Sequence, residues 1–284
     1  MYLSYLFCLI ISHRIVYSLR LSRMSSFQMS AKDTLYDVPV SNHGARIRMI
    51  LKAKGLESQV EIVSPMTLGG LKSPEFLCIN PAGKMPALVT EEGDNIPESD
   101  TIARYVMEKY SAQPPSFIPS TISLKYLSEK ISRIHDIYIS PIQGAMYKAK
   151  GTPFGILGTD RVAGLTELKK QLSIIEKELT SFEEKHPEYK DKLEPFLCGP
   201  EISLADATLY PTAVFCMYIL PQFFGWKDTD VMGPQLLKWF HHMSSNVQYA
   251  KEVKDEIEGG LNAWKSNDRW VPIIEEMREI ETVS

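Results

Sequence analysis

One nine-residue run constrains the fold more than any other part of this 284-residue chain; it reads Asn80-Pro81-Ala82-Gly83-Lys84-Met85-Pro86-Ala87-Leu88. Met85-Pro86 stands between a glycine-containing turn and an apolar segment, where a proline can end a loop and open a strand. An X-Pro bond adopts the cis form at a cost of only about 0.5–1 kcal/mol. In that form the backbone N–H and C=O of Met85 are turned out of the sheet. The run therefore predicts a strand that begins with backbone groups available to a peptide-like ligand.

A second run follows after a short predicted hairpin and reads Glu98-Ser99-Asp100-Thr101-Ile102. It is typical of a strand end that passes into a helix. We expect the Ser99 hydroxyl to be the N-cap, and the first-turn N–H groups to form a site for a carboxylate. Glu98 adds an acceptor for an ammonium group. A ligand with an amino acid at one end and a peptide backbone in its middle suits both runs.

Composition excludes several other classes of function. The net charge of −4 gives no broad cationic surface for nucleic acid, so we expect no nucleic-acid partner. The cysteines form no C-x-x-C pair and no Cys/His cluster with the spacing of metal ligands, which predicts a reduced compartment and no metal. The four of them are Cys8, Cys78, Cys198 and Cys216.

The first 32 residues differ in character from the rest. Residues 2–11 are apolar, arginines and serines follow, and no acidic residue precedes Asp33. Ten apolar residues are too few to span a bilayer, so we expect no membrane anchor. We expect residues 1–32 to be disordered, and to be either an organelle-targeting presequence or an extension of the gene model upstream of Met24 or Met29.

The remaining pattern predicts two domains. Residues 33–110 alternate strands and helices, residues 111–120 are a proline-containing linker, and residues 121–284 are helical. In the first domain we expect strands over residues 34–37, 59–63 and 87–90 and around Ile96, helices over 45–54 and 100–109, and a broken helix over 65–78. In the second we expect helices over residues 124–147, 160–185, 203–215, 234–243 and 247–264, with a Ser203-x-x-Asp206 capping box.

These motifs, taken in chain order, resemble the cytosolic glutathione S-transferase family. The resemblance runs from residue 34 to residue 243. It rests on Leu35-Tyr36, Ser41 before Arg46-Ile47-Arg48, the two runs above and Ser203-Leu204-Ala205-Asp206-Ala207. It implies an α/β thioredoxin-like N-terminal domain followed by an all-α C-terminal domain. Asn42-His43-Gly44-Ala45 differs from the pattern of several Ser-type classes, so the class stays open.

The resemblance also assigns roles in binding glutathione as a co-substrate. It places Glu98 and Ser99 at the γ-glutamyl end, the Met85 backbone at the cysteinyl unit and Lys84 at the glycine carboxylate. Two of these assignments have a structural alternative, Lys84 as a solvated turn residue and Glu98 as support for the helix cap, and the side chain of Met85 is not specified because it contributes through its backbone.

Ser41 is the candidate for stabilising the glutathione thiolate, at the spacing of the catalytic hydroxyl in Ser-type members. A hydroxyl that donates to a thiolate contributes about 1.5–3 kcal/mol, and each 1.4 kcal/mol lowers the thiol pKa by about one unit. The alternatives are that Ser41 only caps the following helix, or that His43 acts as a base or ligand. Tyr36 is interpreted as a packing residue. The absence of Cys at position 41 argues against the thiol-transferase and dehydroascorbate-reductase branches.

The resemblance therefore implies a transferase that conjugates glutathione to small hydrophobic electrophiles or reduces organic hydroperoxides with it. The alternative is a non-catalytic glutathione-dependent ligand carrier on the same fold. It also implies a homodimer, and we expect a cytoplasmic location. Apolar or aromatic surface for the second substrate is predicted between the domains at Ile137, Tyr138, Pro141 and Met146, although we expect most of that stripe to belong to the core.

Overall fold

The first domain is a small mixed sheet covered by helices. The computed structural model describes residues 32–150, 158–189 and 194–283. Its strands are β1 (Asp33–Tyr36), β2 (Val60–Val63), β3 (Ala87–Val89) and β4 (Asn95–Pro97). They lie in the order β2-β1-β3-β4, with β1 parallel to β2 and the other two pairs antiparallel. The four predicted strands and the thioredoxin-like arrangement are thus confirmed.

Three helices cover this sheet: α1 (Asn42–Ala53), α2 (Pro74–Ile79) and α3 (Ser99–Lys109). The segment predicted as a broken helix is a 3₁₀ turn over Pro65–Leu68 followed by α2, with glycines in positive-φ conformations between them. Leu35 lies at the centre of the sheet, fully buried and paired with Ile62 and Leu88. Tyr36 is buried against Phe76 with ring centroids 6.1 Å apart, as expected of a packing residue.

The second domain is helical. Its helices are α4 (Ile122–Ile134), α5 (Gly158–Lys185), α6 (Leu204–Phe224), α7 (Asp228–Val231), α8 (Pro234–Asn246), α9 (Gln248–Ser266) and α10 (Val271–Val283). The helical domain is confirmed. The predictions for residues 1–31 and for most of the loop at 151–158 lie outside the described residues.

Two predicted helix boundaries in this domain are wrong. The single helix expected over residues 124–147 ends at Ile134, continues as a π turn over His135–Ile139 and then becomes a 3₁₀ turn over Gln143–Met146. Pro141 has no N–H to continue the helical pattern. The helix predicted to end at residue 215 runs on to Phe224 and stops at Gly225, which has a φ of 68°.

Helix α6 is the centre of the helical domain. It is long and apolar enough to cross a membrane by length and composition, but 89% of its apolar window is buried by the surrounding helices, as in a core helix. At its start, one carboxylate oxygen of Asp206 accepts hydrogen bonds from the Leu197 N–H and the Trp239 Nε1–H. The other accepts from the N–H and the hydroxyl of Ser203. The capping interaction predicted for this helix is therefore part of a larger buried cluster.

Helix α1 joins the two domains because it packs against α3 on one side and against α6 and α9 on the other. Its contact with the helical domain is polar as well as apolar. Asn42 Nδ2 donates to Gln143 Oε1 at 2.6 Å and to Thr212 Oγ1 at 2.9 Å. These bonds fix the first turn of α1 against the helical domain, at the edge of a cavity between the two.

Candidate functional site

A cavity of about 480 Å³ lies between the two domains. The first domain contributes residues from three places: the first turn of α1, the loop before β3 and the start of α3. The second contributes residues from the end of α4 and the π turn. The residues that line it are His43, Asn80, Lys84, Met85, Pro86, Glu98, Ser99, Asp100, Thr101, Arg133, Asp136, Ile137 and Ser140. The four predicted glutathione-binding residues, Lys84, Met85, Glu98 and Ser99, thus meet in one cavity.

The Lys84-Met85 wall of the cavity is held by Asn80. The Met85-Pro86 bond is cis, as the sequence predicts. The buried Asn80 side chain donates from Nδ2 to the Lys84 carbonyl at 2.7 Å and accepts the Ala82 N–H at 3.1 Å. Asn80 therefore closes the turn that presents Met85 to the cavity. In the sequence Asn80 was only one residue of a motif. Its role could have been inferred from an amide side chain that stands four residues before Lys84, whose carbonyl it holds.

The opposite wall is the N-terminus of α3. The helix begins at Ser99, and the N-cap is Glu98, without a side-chain capping bond. The expectation that Ser99 is the N-cap is therefore wrong by one position, which leaves the Ser99 hydroxyl outside the capping role. Glu98 has a φ of 69°, a conformation that non-glycine residues adopt at a cost of about 1–3 kcal/mol and mainly at functional sites. Because residues 98–101 all line the cavity, the positive end of the α3 dipole opens on it.

Ser41 has partners within its own loop. It is the N-cap of α1, and its Oγ accepts the Gly44 N–H at 3.0 Å. Ser41 lies close enough to the buried Asp37 carboxylate to influence its ionisation. Burial raises the pKa of Asp37 to about 6, although Arg48, the Val38 N–H and the Ser41 hydroxyl each favour its ionised form. Ser41 is not among the described residues that line the cavity, so its action on the thiol stays a prediction.

His43 lines the cavity two residues further along the same helix. Its Nε2 lies 2.9 Å from Gln143 Nε2 and 3.1 Å from Ser140 Oγ, both on the helical domain. Burial, and then the neighbouring His135 and Arg46, lower the pKa of His43 to about 3. The imidazole is therefore neutral at physiological pH. Sequence analysis treated this histidine only as an alternative to Ser41, because no pattern in the chain shows which face of α1 meets the cavity.

A charged group from the helical domain completes the floor of the cavity. The buried Arg46 guanidinium forms an ion pair with Asp136, and His135 Nδ1 lies 2.9 Å from the same carboxylate. Burial raises the pKa of Asp136, but the hydrogen bond from His135 and the charge of Arg46 have a larger, opposite effect. The pKa of Asp136 therefore lies below its usual range. Sequence reasoning missed Asp136 and Arg133, since both lie on the segment that it interpreted as an apolar stripe.

That apolar stripe is only partly available to a second substrate. Ile137 lines the cavity and 45% of it is exposed. Met146 is fully buried in the core, so its predicted role in binding substrate is wrong. Tyr138 and Pro141 are exposed but are not among the described residues that line the cavity. The break after Ile134 turns these side chains away from the face that a continuous helix would present.

One acidic cluster lies elsewhere in the part of the chain that the structure describes. Asp33, Glu91 and Glu92 bring three carboxylates close enough together to hold a cation. Lys109 Nζ lies 3.0 Å from Asp33 and 2.9 Å from Glu91. The lysine ammonium already supplies positive charge there, and we assign no metal chemistry to this cluster.

Comparison with known sequence families gives two matches in the expected order. A family model described as "Glutathione S-transferase, N-terminal domain" matches residues 35–115, and one described as "Glutathione S-transferase, C-terminal domain" matches residues 158–242. The glutathione S-transferase 3 of Zea mays is 30% identical over 176 residues, which are 61% of this chain and 73% of that protein. A glutathione S-transferase of Triticum aestivum is 30% identical over 185 residues, 64% of this chain and 77% of that protein.

Solved structures show the same architecture. Glutathione transferase F7 from Populus trichocarpa superposes with a TM-score of 0.58 at 22% identity, over 79% of this chain and 99% of that one. Ure2p in complex with glutathione superposes with a TM-score of 0.61 at 17% identity, over 78% of this chain and 97% of that one. At these identities the likeness establishes the two-domain fold.

Proposed function

The chain belongs to the glutathione S-transferase family of enzymes, and we propose that it binds glutathione in the cavity between its domains and transfers it, as the thiolate, to small hydrophobic electrophiles. The observation that carries this proposal is the meeting of Lys84, Met85, Glu98 and Ser99 around one cavity. These residues come from two separate loops of the first domain. A packing role explains neither the positive φ of Glu98 nor the opening of the α3 N-terminus on the cavity.

The arrangement of charge fits an extended tripeptide with an ammonium group and a carboxylate at one end and a carboxylate alone at the other. The α3 N-terminus and the Ser99 hydroxyl suit the γ-glutamyl carboxylate, and Glu98 suits the adjacent ammonium group. The backbone of Met85 pairs with the cysteinyl unit in the middle of the ligand. Lys84 then supplies a cation for the glycine carboxylate at the far end.

Replacing Ser99 by alanine tests this orientation. A hydrogen bond to a charged group contributes about 1.5–3 kcal/mol, so we expect Ser99→Ala to raise the Kd for glutathione about 10- to 100-fold. The exposed Ser111, just beyond the end of α3, provides a matched control, and Ser111→Ala should leave the Kd unchanged. Isothermal titration calorimetry measures both. Equal affinity in the two variants contradicts the proposed orientation.

Ser41, the candidate from the sequence, is proposed as the hydroxyl that donates a hydrogen bond to the thiolate. A serine has a single O–H to donate to sulfur, and its Oγ here accepts the Gly44 N–H. The other role open to Ser41 is the one it already has, as the cap of α1.

The Ser41→Ala variant separates these two roles. If Ser41 contacts sulfur, the pH midpoint of thiolate formation in bound glutathione, followed by ultraviolet absorbance, rises by about one unit or more. If Ser41 only caps α1, the midpoint is unchanged and the free energy of unfolding falls by about 1 kcal/mol. Chemical denaturation of the same samples measures the second quantity. A wild-type midpoint that equals that of free glutathione favours a non-catalytic carrier.

The same thiolate can reduce an organic hydroperoxide, and we propose this as a second reaction of the site. The sulfur attacks the terminal peroxide oxygen, the alcohol leaves, and a second glutathione converts the sulfenic acid to glutathione disulfide with loss of water. Assembly as a homodimer and a cytoplasmic location stay predictions; analytical ultracentrifugation and cell imaging of the full chain test them.

A further inference from the structure

The first turn of α1 presents His43 to the cavity. The two candidates for a contact with the ligand thiol differ in where they lie. Ser41 caps α1, where its Oγ accepts the Gly44 N–H, and it is not among the described residues that line the cavity. His43 lines the same cavity as Met85 and Pro86. A tripeptide held there by the Met85 backbone carries its sulfur on its middle residue, in the cavity that His43 lines.

The hydrogen bonds around His43 specify which ring nitrogen carries the proton. In the assigned amide orientations, Asn42 Nδ2 donates to Gln143 Oε1, which leaves Gln143 Nε2 to donate to His43 Nε2. A neutral imidazole that accepts at Nε2 carries its proton on Nδ1. Because Nε2 accepts from Gln143, Nδ1–H is the ring group left to donate a hydrogen bond.

The surroundings of His43 keep the ring from taking up a second proton. It is half-buried, its ring lies 6.0 Å from that of His135, and Arg46 and Lys84 add positive charge nearby. Asp136 is the acidic group that faces it, and Asp136 is already paired with Arg46. His43 is therefore suited to donate a hydrogen bond and unsuited to act as a general base.

We infer that His43 donates a hydrogen bond from Nδ1 to the glutathione sulfur and is the residue that stabilises the thiolate. This inference rests on the proposed function, since it names a residue of the same site. The thiol proton goes to solvent, and the imidazole keeps its own. The thiolate electron pair then forms the S–C bond, while the electrons of the broken bond leave with the leaving group of the electrophile.

Two amide substitutions distinguish the two ring nitrogens. The side-chain nitrogen of asparagine lies at the position of Nδ1, and that of glutamine reaches the position of Nε2. We expect His43→Asn to keep the thiol midpoint of bound glutathione within about 0.5 units of the wild type. We expect His43→Gln and His43→Leu to raise it by about one unit or more and to lower kcat/KM at pH 6.5 about tenfold. The exposed His241 provides the control, and His241→Asn should behave as the wild type.

The measurements also separate this inference from the proposed function. Calorimetry at a pH about one unit below the wild-type thiol midpoint, where glutathione binds mainly as the thiol, reports the Kd of each variant, and we expect it to change less than threefold in all of them. If His43→Leu leaves the thiol midpoint unchanged, or Ser41→Ala alone raises it, the role of His43 is overturned while the transferase proposal stands. If the wild-type protein does not bind glutathione at all, the proposed function fails, and the inference fails with it.

Discussion

Replacing Asp206 by alanine is expected to lower the free energy of unfolding by about 4 kcal/mol or more. The fully buried carboxylate accepts from the Leu197 N–H, the Ser203 N–H, the Ser203 hydroxyl and the Trp239 indole, at distances of 2.7–2.9 Å. Alanine leaves these buried donors without an acceptor, and orphaned donors cost more than the bonds contributed. In a chain of this size, 4 kcal/mol corresponds to a decrease in Tm of about 8–16 °C, which differential scanning calorimetry measures.

Two milder substitutions control for the loss of packing. Asp206→Asn keeps the oxygen that serves Leu197 and Trp239 but turns an amide N–H₂ toward the Ser203 N–H, so we expect an intermediate loss of about 1–3 kcal/mol. Trp239→Phe removes one donor and leaves the Asp206 carboxylate with three others, so we expect the free energy of unfolding to fall by about 1–2 kcal/mol. An Asp206→Ala protein as stable as Trp239→Phe would show that the cluster does not hold the domain together.

The second large effect concerns two neighbouring glycines on α9. A Cβ on Gly260 would lie 2.4 Å from Val40 Cβ and 3.1 Å from Val40 Cα, whereas a Cβ on Gly259 meets nothing within 4 Å. Both alanine variants gain about 1 kcal/mol of helix propensity, so Gly259→Ala should be stabilised by that amount. The clash in Gly260→Ala costs about 1–3 kcal/mol or more beyond the shared gain. The difference between the two free energies of unfolding, measured by urea denaturation, isolates the contact with Val40.

The Gly259→Ala and Gly260→Ala variants also test whether the position of Val40 affects activity at the cavity. Val40 immediately precedes Ser41, and the Ser41 N–H bonds to the Val38 carbonyl at 2.9 Å, so a displacement of Val40 moves the start of α1. We expect Gly260→Ala to lower glutathione conjugation at 25 °C, where it is still folded, and Gly259→Ala to leave it unchanged. Equal activity in the two variants would mean that the β1–α1 loop tolerates movement.

Local sequence determined the elements and the two walls of the site that the first domain supplies. The alternation of apolar residues over 59–63, the turn before Met85-Pro86 and the run from Glu98 are short-range patterns, and backbone sterics fix their outcome within a few residues. For this reason the sheet, the helical domain and the gathering of Lys84, Met85, Glu98 and Ser99 near each other were predictable. The cap at Ser99 was misplaced by one residue because Glu98 adopts a positive φ that its residue type does not favour.

Only the tertiary structure decided which residues of α1 and α4 meet the cavity. The sequence favours Ser41 over His43; the packing of α1 against α3, α6 and α9 places His43, and not Ser41, among the described residues that line the cavity. The break after Ile134 likewise buries Met146 and brings Asp136 to the cavity. Gly259 and Gly260 are indistinguishable until Val40 lies against one of them. Such outcomes depend on contacts between segments far apart in the chain, 220 residues in the case of Val40 and Gly260, which no local pattern encodes.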